Sequence, residues 1–578
     1  MSSTSRRSTG PALDPELVAL WCLIGLVLLV VAVLIGSVHL AALMASSREQ
    51  LPANPVRLAE GLVRGTVRWP RLTGLIAAGM TVVLVIASAT VARGMRGFWR
   101  GNVDRAARWT GQGKEIRRLS ARQAAAVADR LGVQTPGLPI GRTIRGGRML
   151  IAGWEDVSVD VWGPRTGKTT SRAVPSILAA PGAVLSTSNK RDVVDATRDV
   201  RAKTGGVWVF DPQEIADEQP TWCWNPLSYV VDERRAAEMA DVFASAGRDP
   251  DAKTDAYFDP AGQNLVKHLL LAAAVEQLSL IQVYLWLTTP TNDEPAVILR
   301  EHGYTVLASA LLAQINAPEK QRGGIFGTAL EMCSFMTNRQ AMLWVVPNPE
   351  EPLPLFDPHA FASSRDTLYS LSKEGKGSAA PLVTGLTLAV CEAAEERAKR
   401  CPGGRLPVPI VCVLDEAANV CRWRKLPDLY SHYGSRGICL LTILQSWSQG
   451  VEVWGREGMR KLWSAATVKV YGGGVSEVEF LEELSKLIGD FDLLSRQETH
   501  GLRQGRSTSR SVRRERILDV ADLAALPQGR IVVMASGTRP VLARAVPWMA
   551  GPDAAAIRAS IAAHDPANQQ EGRHDRRE

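Results

Sequence analysis

The chain contains 578 residues, 46% of them hydrophobic, which is enough for about three to four structural units with a large core. Its formal net charge of +8 favours association with a polyanion or a membrane surface, although charge alone does not name the partner. The eight cysteines form no C-x-x-C pair and do not cluster with the histidines, which argues against a disulfide framework and against a zinc site.

The N-terminal part of the chain predicts a membrane anchor. Residues 1–15 are rich in Ser, Thr and Arg and are predicted to be disordered. We predict transmembrane helices at 16–47 and 72–92, because Leu17–Ser47 and Leu72–Ala92 carry no charged side chain. The second run measures roughly 31 Å as a helix, which matches the hydrocarbon core of a bilayer. The alternative of two buried core helices is weaker, since both runs are apolar on every side.

Residues 93–150 are predicted to be a basic connector. The segment Glu115–Leu131 has a helical pattern, and prolines and glycines at 136–141 are expected to loosen the chain after it. The arginines of the connector either touch lipid headgroups or face water, and the sequence does not decide between these two interpretations.

The segment Val161–Thr170 reads V-W-G-P-R-T-G-K-T-T and predicts a phosphate-binding loop between a strand and a helix. Lys168 would reach the β- and γ-phosphates of ATP, and the Thr169 hydroxyl would ligate Mg²⁺. The spacing departs from the usual pattern, because Trp162 stands where the first glycine is expected. The alternative is a Gly-Pro turn with a chance lysine. The predicted nucleotide-binding residues are Gly163, Pro164, Arg165, Thr166, Gly167, Lys168, Thr169 and Thr170.

The nucleotide site also decides the predicted topology. Arginines flank both predicted spans and favour an orientation with both chain ends inside only slightly. Because a P-loop domain works where ATP is, we place both ends in the cytoplasm and residues 48–71 outside it. The prediction is a multi-pass protein of the cell membrane with most of its chain in the cytoplasm.

Short apolar strands alternate with helices after the loop, which predicts an α/β fold with a mostly parallel sheet. Strands are predicted at 183–185, 207–210, 367–372, 410–414 and 438–444. The stretch 278–348 is helical in pattern and has no clear strand. We therefore predict a nucleotide-binding domain in two parts, 151–275 and 355–548, around an all-α insertion at 276–354.

The apolar strand Ile410–Leu414 ends in two carboxylates, as a Walker B element does. Asp415 is predicted to hold the hydrated Mg²⁺ together with Thr169, and Glu416 to polarise the attacking water. The alternative is a pair of carboxylates that stabilises a helix N-terminus.

Two further side chains are candidates for catalysis. Gln445 follows the buried strand Ile438–Leu444 and is predicted to sense the γ-phosphate; the alternative is an amide satisfied by backbone. Arg436 precedes the same strand and is a candidate arginine finger toward a neighbouring subunit. For Arg436, an ordinary surface role is an equally good interpretation.

The order of these motifs resembles the type IV coupling proteins, the TraG/TraD-type ATPases of conjugation and type IV secretion. The resemblance spans the chain from the first predicted span to about Val546. It is carried by the P-loop, N-K-R-D-V-V-D-A-T-R, G-G-V-W-V-F-D-P, W-N-P-L, V-C-V-L-D-E-A-A-N, I-L-Q-S and L-P-Q-G-R. One departure is Asn189, where family members often have an acidic residue.

The resemblance implies a membrane-anchored DNA pump with a RecA-like motor, an all-α domain, ATP and Mg²⁺. It also implies a homo-oligomeric ring, a hexamer, that meets a relaxase and the secretion-channel proteins. Two alternatives stay open: the same motor with a protein cargo, and a membrane scaffold that binds nucleotide without turnover.

A motor that moves along any DNA sequence needs contacts to backbone phosphates. The stretch 503–516 carries six arginines, and its Gly and Ser content predicts a mobile loop that faces the channel or the membrane. Within it, Arg510, Arg513 and Arg514 are the candidates for DNA contact; the alternative is a solvated loop. The polar tail 549–578 is predicted to form a short Ala-rich helix followed by disordered sequence.

Overall fold

The computed structural model divides the chain into two compact units, Met1–Gly101 and Asn102–Glu578. The described residues are 73–95, 102–246, 255–375, 378–499 and 507–568, together with 33, 35–38, 40–41, 54, 57, 60–61 and 64. Side chains are not described at 85–95, 493–499 and 507–511. The predicted tail 1–15 lies outside the described residues, as do most of the span 16–47 and of the loop 48–71, and residues 569–578.

The first unit contains one long helix, α1 (Thr73–Met95), which overlaps the second predicted span. Within the described part of the chain, no helix combines the length and hydropathy needed to cross a bilayer. Both spans therefore stay predictions.

The second unit is built on one large sheet. Its strands are β1 (Leu138–Thr143), β2 (Met149–Ala152), β3 (Ser158–Val161), β4 (Val184–Ser188), β5 (Val207–Phe210), β6 (Thr367–Leu371), β7 (Ile410–Leu414), β8 (Ile438–Leu444), β9 (Val468–Tyr471), β12 (Arg530–Ala535) and β13 (Val541–Arg544). Two further strands, β10 (Asp490–Thr499) and β11 (Ser507–Arg516), form a separate antiparallel hairpin.

Helices cover the sheet and fill the longest connection between strands. Those before the connection are α2 (Asn102–Ala106), α3 (Ala121–Arg130), α4 (Val174–Ala179) and α5 (Asp192–Arg201). Those within it are α6 (Glu233–Ala246), α7 (Phe258–Val275), α8 (Leu280–Thr288), α9 (Glu294–Glu301), α10 (Thr305–Ile315), α11 (Glu319–Met332), α12 (Arg339–Met342) and α13 (Pro358–Phe361). Those after it are α14 (Ala380–Arg400), α15 (Ala417–Val420), α16 (Leu426–Arg436), α17 (Trp447–Ala465), α18 (Val478–Ile488), α19 (Val520–Ala524) and α20 (Ala554–His564). A π-helix covers Thr169–Ala173, and 3-10 turns lie at Gly113–Leu119, Pro226–Tyr229, Ser334–Thr337, Pro402–Gly404 and Trp548–Ala550.

The large sheet is mostly parallel, as predicted. Among the described residues its order is β2-β1-β13-β12-β9-β3-β8-β7-β4-β6-β5. The strands from β9 to β5 run parallel to one another, and the four on the other side join as antiparallel neighbours. The central strands β7 and β8 are buried along their whole length, because helices cover both faces of a parallel sheet.

The predicted loosening of the connector at 136–141 was wrong, because residues 138–141 belong to strand β1. A side chain at Gly137 would collide with the carbonyl of Ala152 and lie 2.9 Å from Ile151 Cγ2, and one at Gly141 would lie 2.7 Å from the carbonyl oxygen of Arg544. The glycines therefore permit close pairing of β1 with its neighbours. The predicted helix Glu115–Leu131 is a 3-10 turn followed by α3, with Ser120 as the N-cap of α3.

The connection between β5 and β6 is a helical block. Its helices α6 to α13 run from Glu233 to Phe361, with no named strand among the described residues of this range. Helix α6 packs against both α7 and α14. The first residue of the all-α insertion, at 276, stays a prediction.

A pair of glutamates joins helix α6 of this block to α14. Glu238 and Glu392 lie close together, and both burial and the charge of Glu238 raise the pKa of Glu392 to about 7. Cations surround the pair: Arg234 lies 3.6 Å and Arg235 3.8 Å from Glu392, and Lys425 lies 3.3 Å from Glu238.

This pair makes stability depend on pH. The pKa of Glu392 is near 4.5 in the unfolded chain, so between about pH 4.5 and 7 the folded protein keeps a proton that the unfolded chain releases. Stability from this group is complete below that window and is lost as pH rises through it. We expect Glu392→Gln to melt about 2–8 °C above the wild type at pH 8 but close to it at pH 5. The same difference in melting temperature at both pH values would contradict this assignment.

The C-terminal helix α20 packs on the helices that follow the phosphate-binding loop. Ile557 is buried against Val174 of α4 and Ala196 of α5, and Ser560 Oγ donates a hydrogen bond of 2.6 Å to the carbonyl of Asp195. This part of the tail is therefore a docked element of the second unit.

Candidate nucleotide-binding site

The predicted phosphate-binding loop lies where β3 ends, at the carboxyl edge of the parallel strands. Thr166 Oγ1 donates to the carbonyl of Gly163 (2.6 Å), and Thr170 Oγ1 donates to that of Gly167 (3.1 Å). Gly167 has a φ of 91° and Arg165 a φ of 58°, so the loop turns through left-handed conformations before the helix begins. This backbone is suited to hold phosphate against the first turn of the helix.

The structure accounts for Trp162 at the expected glycine position. The close backbone approach occurs one residue later: Gly163 N donates to the carbonyl of Gly473 (2.8 Å), and a side chain on Gly163 would lie 2.7 Å from Gly474 Cα and collide with its carbonyl. Gly472 leaves room for the buried ring of Trp162. The glycines at 472–474, after β9, are visible in the sequence. Their contact with the phosphate-binding loop is not, because Gly163 lies about 310 residues away.

The structure brings Lys168 together with both predicted carboxylates. Lys168 Nζ lies 3.0 Å from Asp415 Oδ1 and forms an ion pair with Glu416 Oε1. The contact joins elements 248 positions apart in the sequence. It forms because β3 and β7 both end at the carboxyl edge of the sheet, separated only by β8.

Burial sets the electrostatics of this cluster. It raises the pKa of Asp415 to about 6, although Lys168 opposes this effect. Burial lowers the pKa of Lys168, but Asp415 and Glu416 outweigh it, so the pKa of the lysine is raised. Lys168 is thus a full cation beside two carboxylates, of which Asp415 takes up a proton more readily than an ordinary aspartate.

Glu416 is held in a fixed orientation. Its backbone is left-handed, with a φ of 55°, a conformation that costs energy for a residue with a side chain. Gln445 Nε2 donates to Glu416 Oε1 (2.6 Å), and Asn419 Nδ2 approaches Glu416 Oε2 (3.4 Å). The structure therefore places the predicted γ-phosphate sensor, Gln445, against the predicted water-activating residue.

A second hydrogen-bonded group extends the site along the sheet edge. Glu374 Oε1 accepts from Asn189 Nδ2 (2.7 Å) and from Asn419 Nδ2 (2.8 Å). The side-chain amide of Asn189, the residue that departs from the family pattern, thus donates a hydrogen bond to the Glu374 carboxylate. Neither Glu374 nor Asn419 was predicted from the sequence: Asn419 ends the quoted motif V-C-V-L-D-E-A-A-N but was given no role there, and Glu374 stands in none of the quoted motifs.

The donor set suits Mg²⁺. Thr169 supplies a hydroxyl oxygen in the first turn after the loop, and Asp415, which lies 3.0 Å from the preceding Lys168, supplies a carboxylate. Mg²⁺ takes few protein ligands besides phosphate and water, so these two oxygen donors fit it. In the described part of the chain, no group of three or more His, Cys, Asp and Glu side chains could hold a metal ion.

A buried ion pair fixes the helix that carries the loop. Arg172 Nε donates to Asp160 Oδ2 (2.7 Å), and its two Nη atoms donate to Ser158 Oγ and to the carbonyl of Pro139, both at 2.8 Å. Burial raises the pKa of Asp160. Arg172 therefore connects the helix after the phosphate-binding loop to β3 and β1. The sequence alone did not identify this role.

Arg436 lies at the opposite edge of the sheet from the loop. It ends helix α16, precedes β8 and forms a 2.5 Å ion pair with Glu395. Because Gln445 follows β8, the two candidates lie at opposite ends of this strand. A role toward a neighbouring subunit stays a prediction.

The arginine-rich stretch 503–516 was predicted to be a mobile loop, but its described part is a strand. Residues 507–516 form β11, and residues 500–506 lie outside the described residues. Arg513 and Arg514 are 77% and 75% exposed, and their nearest carboxylates are 3.8 Å and 3.6 Å away. Arg510 pairs with Arg496 across the hairpin. Strand β11 pairs with β10, where Asp490 and Asp492 stand opposite Arg516 and Arg514, and the Ser and Arg content had concealed this pairing.

The fold and the site define an α/β protein of the P-loop nucleotide-binding class with a RecA-like sheet. Two family models match: "Type IV secretory system Conjugative DNA transfer" over residues 109–302, and "TraM recognition site of TraD and TraG" over residues 409–528. Together they span more than half of the sequence. The chain belongs to the type IV coupling proteins of conjugative DNA transfer.

Solved structures show the same fold. The bacterial conjugative coupling protein TrwBdeltaN70 in its unbound form matches with a TM-score of 0.53 and 16% identity, over 70% of this chain and 88% of that one. Plasmid coupling protein TrwB in complex with the ATP analogue ADPNP matches with a TM-score of 0.51 and 16% identity, over 68% and 85%. A search of curated protein sequences finds no significant match.

Proposed function

We propose that this coupling protein hydrolyses ATP with Mg²⁺ and uses the energy to move DNA, or a DNA-protein complex, into a type IV secretion channel. The observation that carries the proposal is the contact of Lys168 with Asp415 and Glu416, beside Gln445. Such a cluster of loop lysine, metal carboxylate and polarising carboxylate is what phosphoryl transfer to water requires.

Each residue has a distinct role in this mechanism. The backbone of Gly163–Thr170 binds the phosphates, and Lys168 exchanges its carboxylate contacts for the β- and γ-phosphates. Thr169 and Asp415 hold Mg²⁺, which neutralises charge on the phosphates when it is bound. Glu416 then accepts a hydrogen bond from the attacking water and orients it toward the γ-phosphate.

Gln445 donates to Glu416 Oε1, the oxygen that Lys168 also contacts, and its amide is assigned the role of distinguishing ATP from ADP. The proposal places Arg436 as an arginine finger in a homo-oligomeric ring, a hexamer by family resemblance. In that role Arg436 would have to exchange Glu395 for a phosphate of the neighbouring subunit.

We propose two membrane spans, at 16–47 and 72–92, with most of the chain in the cytoplasm. The uncharged runs in both segments support this anchor. A relaxase-containing complex and the channel proteins are the proposed partners, and the family match over residues 409–528 supports a recognition function in that part of the chain.

ATP hydrolysis by the full-length protein in lipid nanodiscs, with and without DNA, tests the proposal. We expect turnover that DNA stimulates. Turnover that responds only to a secreted protein would assign a protein cargo, and binding of ATP without turnover would assign a scaffold. Either result would contradict the proposed DNA motor.

The arginines of β11 should carry part of the DNA binding. Replacing Arg510, Arg513 and Arg514 with glutamine should weaken DNA binding. The slope of log K against log salt concentration should become shallower by about one for each phosphate that the variant no longer neutralises. Fluorescence anisotropy of a labelled oligonucleotide at several salt concentrations measures both effects. A matched control removes three exposed cations at the end of α14: Arg397, Lys399 and Arg400. Equal reductions in affinity in the two triple variants would contradict a specific role for the hairpin.

A further inference from the structure

The connection between β9 and α18, residues 472–477, contacts two elements: the entry of the phosphate-binding loop and the helix that follows Gln445. Its first contact is the packing of Gly473 and Gly474 on Gly163, at the entry of the phosphate-binding loop. Its second contact is made by Glu477, three residues later. The Glu477 carboxylate accepts hydrogen bonds from the backbone N–H groups of Trp447 (2.8 Å) and Ser448 (2.9 Å).

These two N–H groups begin the helix that follows Gln445. Helix α17 already has a local N-cap, because Ser446 Oγ accepts from Gln449 N (3.2 Å). Glu477 satisfies two more of the free donors of the first turn with an anion, which the helix dipole also favours. The helix is therefore fastened at its start by a residue about 30 positions away.

Aromatic packing reinforces the same junction. The rings of Trp447 and Phe480 stack with centroids 5.1 Å apart, and Trp463 meets Phe480 edge-on at 5.7 Å. Helix α17 is interrupted at Gly455, whose φ of 68° is not helical. Its first eight residues are thus a short segment, attached to α18 by the carboxylate and the stacked rings.

The antiparallel hairpin of β10 and β11, here called the arginine hairpin, is attached to the C-terminal end of α18. Strand β10 starts directly after this helix, and Ile517, just past β11, donates its N–H to the carbonyl of Gly489 (3.1 Å). Ser485 Oγ donates to the carbonyl of Leu518 (2.6 Å). A displacement of α18 therefore carries both strands of the hairpin with it.

We propose that Glu477 is a positioning residue that couples nucleotide state to the arginine hairpin. When Gln445 gains or loses its contact with the γ-phosphate, the start of α17 moves, and Glu477 transmits that movement to α18 and the hairpin. The inference rests on the proposed DNA motor, whose site it deepens. It involves no bond-breaking step, so Glu477 is not required for hydrolysis itself.

The test is the affinity of the full-length protein in nanodiscs for a fluorescein-labelled oligonucleotide, measured with the ATP analogue ADPNP and with ADP. Coupled sites of this kind change each other's affinity about fivefold or more. We expect such a ratio in the wild type and its reduction to about one in Glu477→Ala, while ATP hydrolysis without DNA stays near the wild-type rate. A merely structural residue would lower both affinities and leave their ratio unchanged.

Two further variants make the test decisive. Glu479→Ala removes the same charge two residues later. The Glu479 side chain is 90% exposed and forms an ion pair of 3.8 Å with Arg456. This variant should keep the wild-type affinity ratio. Glu477→Gln keeps one acceptor oxygen and the shape of the side chain, and should give an intermediate ratio. It also carries the test if the alanine variant does not fold.

The outcomes separate the two proposals. A wild-type protein whose turnover does not respond to DNA contradicts the motor and the coupling together. A DNA-stimulated wild type whose affinity ratio persists in both Glu477 variants contradicts the coupling alone. Loss of hydrolysis without DNA in Glu477→Gln also contradicts it, because Glu477 would then act in the nucleotide site itself.

Discussion

Replacing Lys168 with alanine is expected to lower ATP turnover at least about 100-fold, the cost of removing a single group that stabilises charge in a transition state. The side chain is the only cation shown in contact with Asp415 and Glu416 among the described residues. Without it, two buried carboxylates face each other, and phosphate would meet uncompensated negative charge. Steady-state hydrolysis of ATP measures the reduction, and equilibrium binding of ADPNP shows how much of it is affinity.

Glu416→Gln separates binding from chemistry in the same site. The amide keeps the size of the side chain but cannot polarise water, so turnover should fall by a similar factor while ADPNP still binds. Lys461→Ala, which removes an exposed lysine from α17, is the matched control and should behave as the wild type. A Lys168→Ala protein that hydrolyses ATP at the wild-type rate would contradict the assigned site.

Gly163→Ala should also have a large effect, through backbone collision alone. The added methyl would overlap the carbonyl of Gly474 and lie 2.7 Å from its Cα, and neither backbone group can rotate away. Displacing the loop entry costs about 1–3 kcal/mol, the usual penalty of overpacking. We therefore expect nucleotide affinity, measured by titration with ADPNP, to fall by about 5- to 150-fold.

The control for this variant is Gly327→Ala in helix α11. No atom lies within 4 Å of an added methyl there, so this change should be neutral or slightly stabilising. Wild-type nucleotide affinity in Gly163→Ala would mean that the close approach of Gly163 to Gly474 is not needed for nucleotide binding. Gly163 would then not replace the first glycine of the usual motif.

Three strands of the parallel part of the sheet were predictable from composition: the edge strand β5 and the central strands β7 and β8. Val207–Phe210, Ile410–Leu414 and Ile438–Leu444 are short apolar runs, and the observed strands have the predicted ends. A strand buried on both faces needs apolar residues throughout, and polar residues must follow where it leaves the core. Since parallel strands end at one edge, the approach of Lys168 to Asp415 also followed from the sequence.

The antiparallel strands of the large sheet and of the separate hairpin were not predictable in the same way. Strand β1 contains Pro139 and Gly141, which indicate a loop unless the neighbouring backbone is known. Strand β11 is dominated by Ser and Arg and has no alternation of apolar residues. Likewise, the roles of Gly474 and Glu477 arise only from partners far away in the chain, and nothing in their local sequence identifies those partners.

The account depends most on the position of a triphosphate relative to Lys168. A cryo-EM structure of the full-length protein with ADPNP and Mg²⁺ measures this directly. We predict phosphate oxygens within hydrogen-bonding distance of Lys168 Nζ and a cation between Thr169 and Asp415, with Gln445 facing the γ-phosphate. A nucleotide bound elsewhere, with Lys168 still paired to Glu416, would contradict the account.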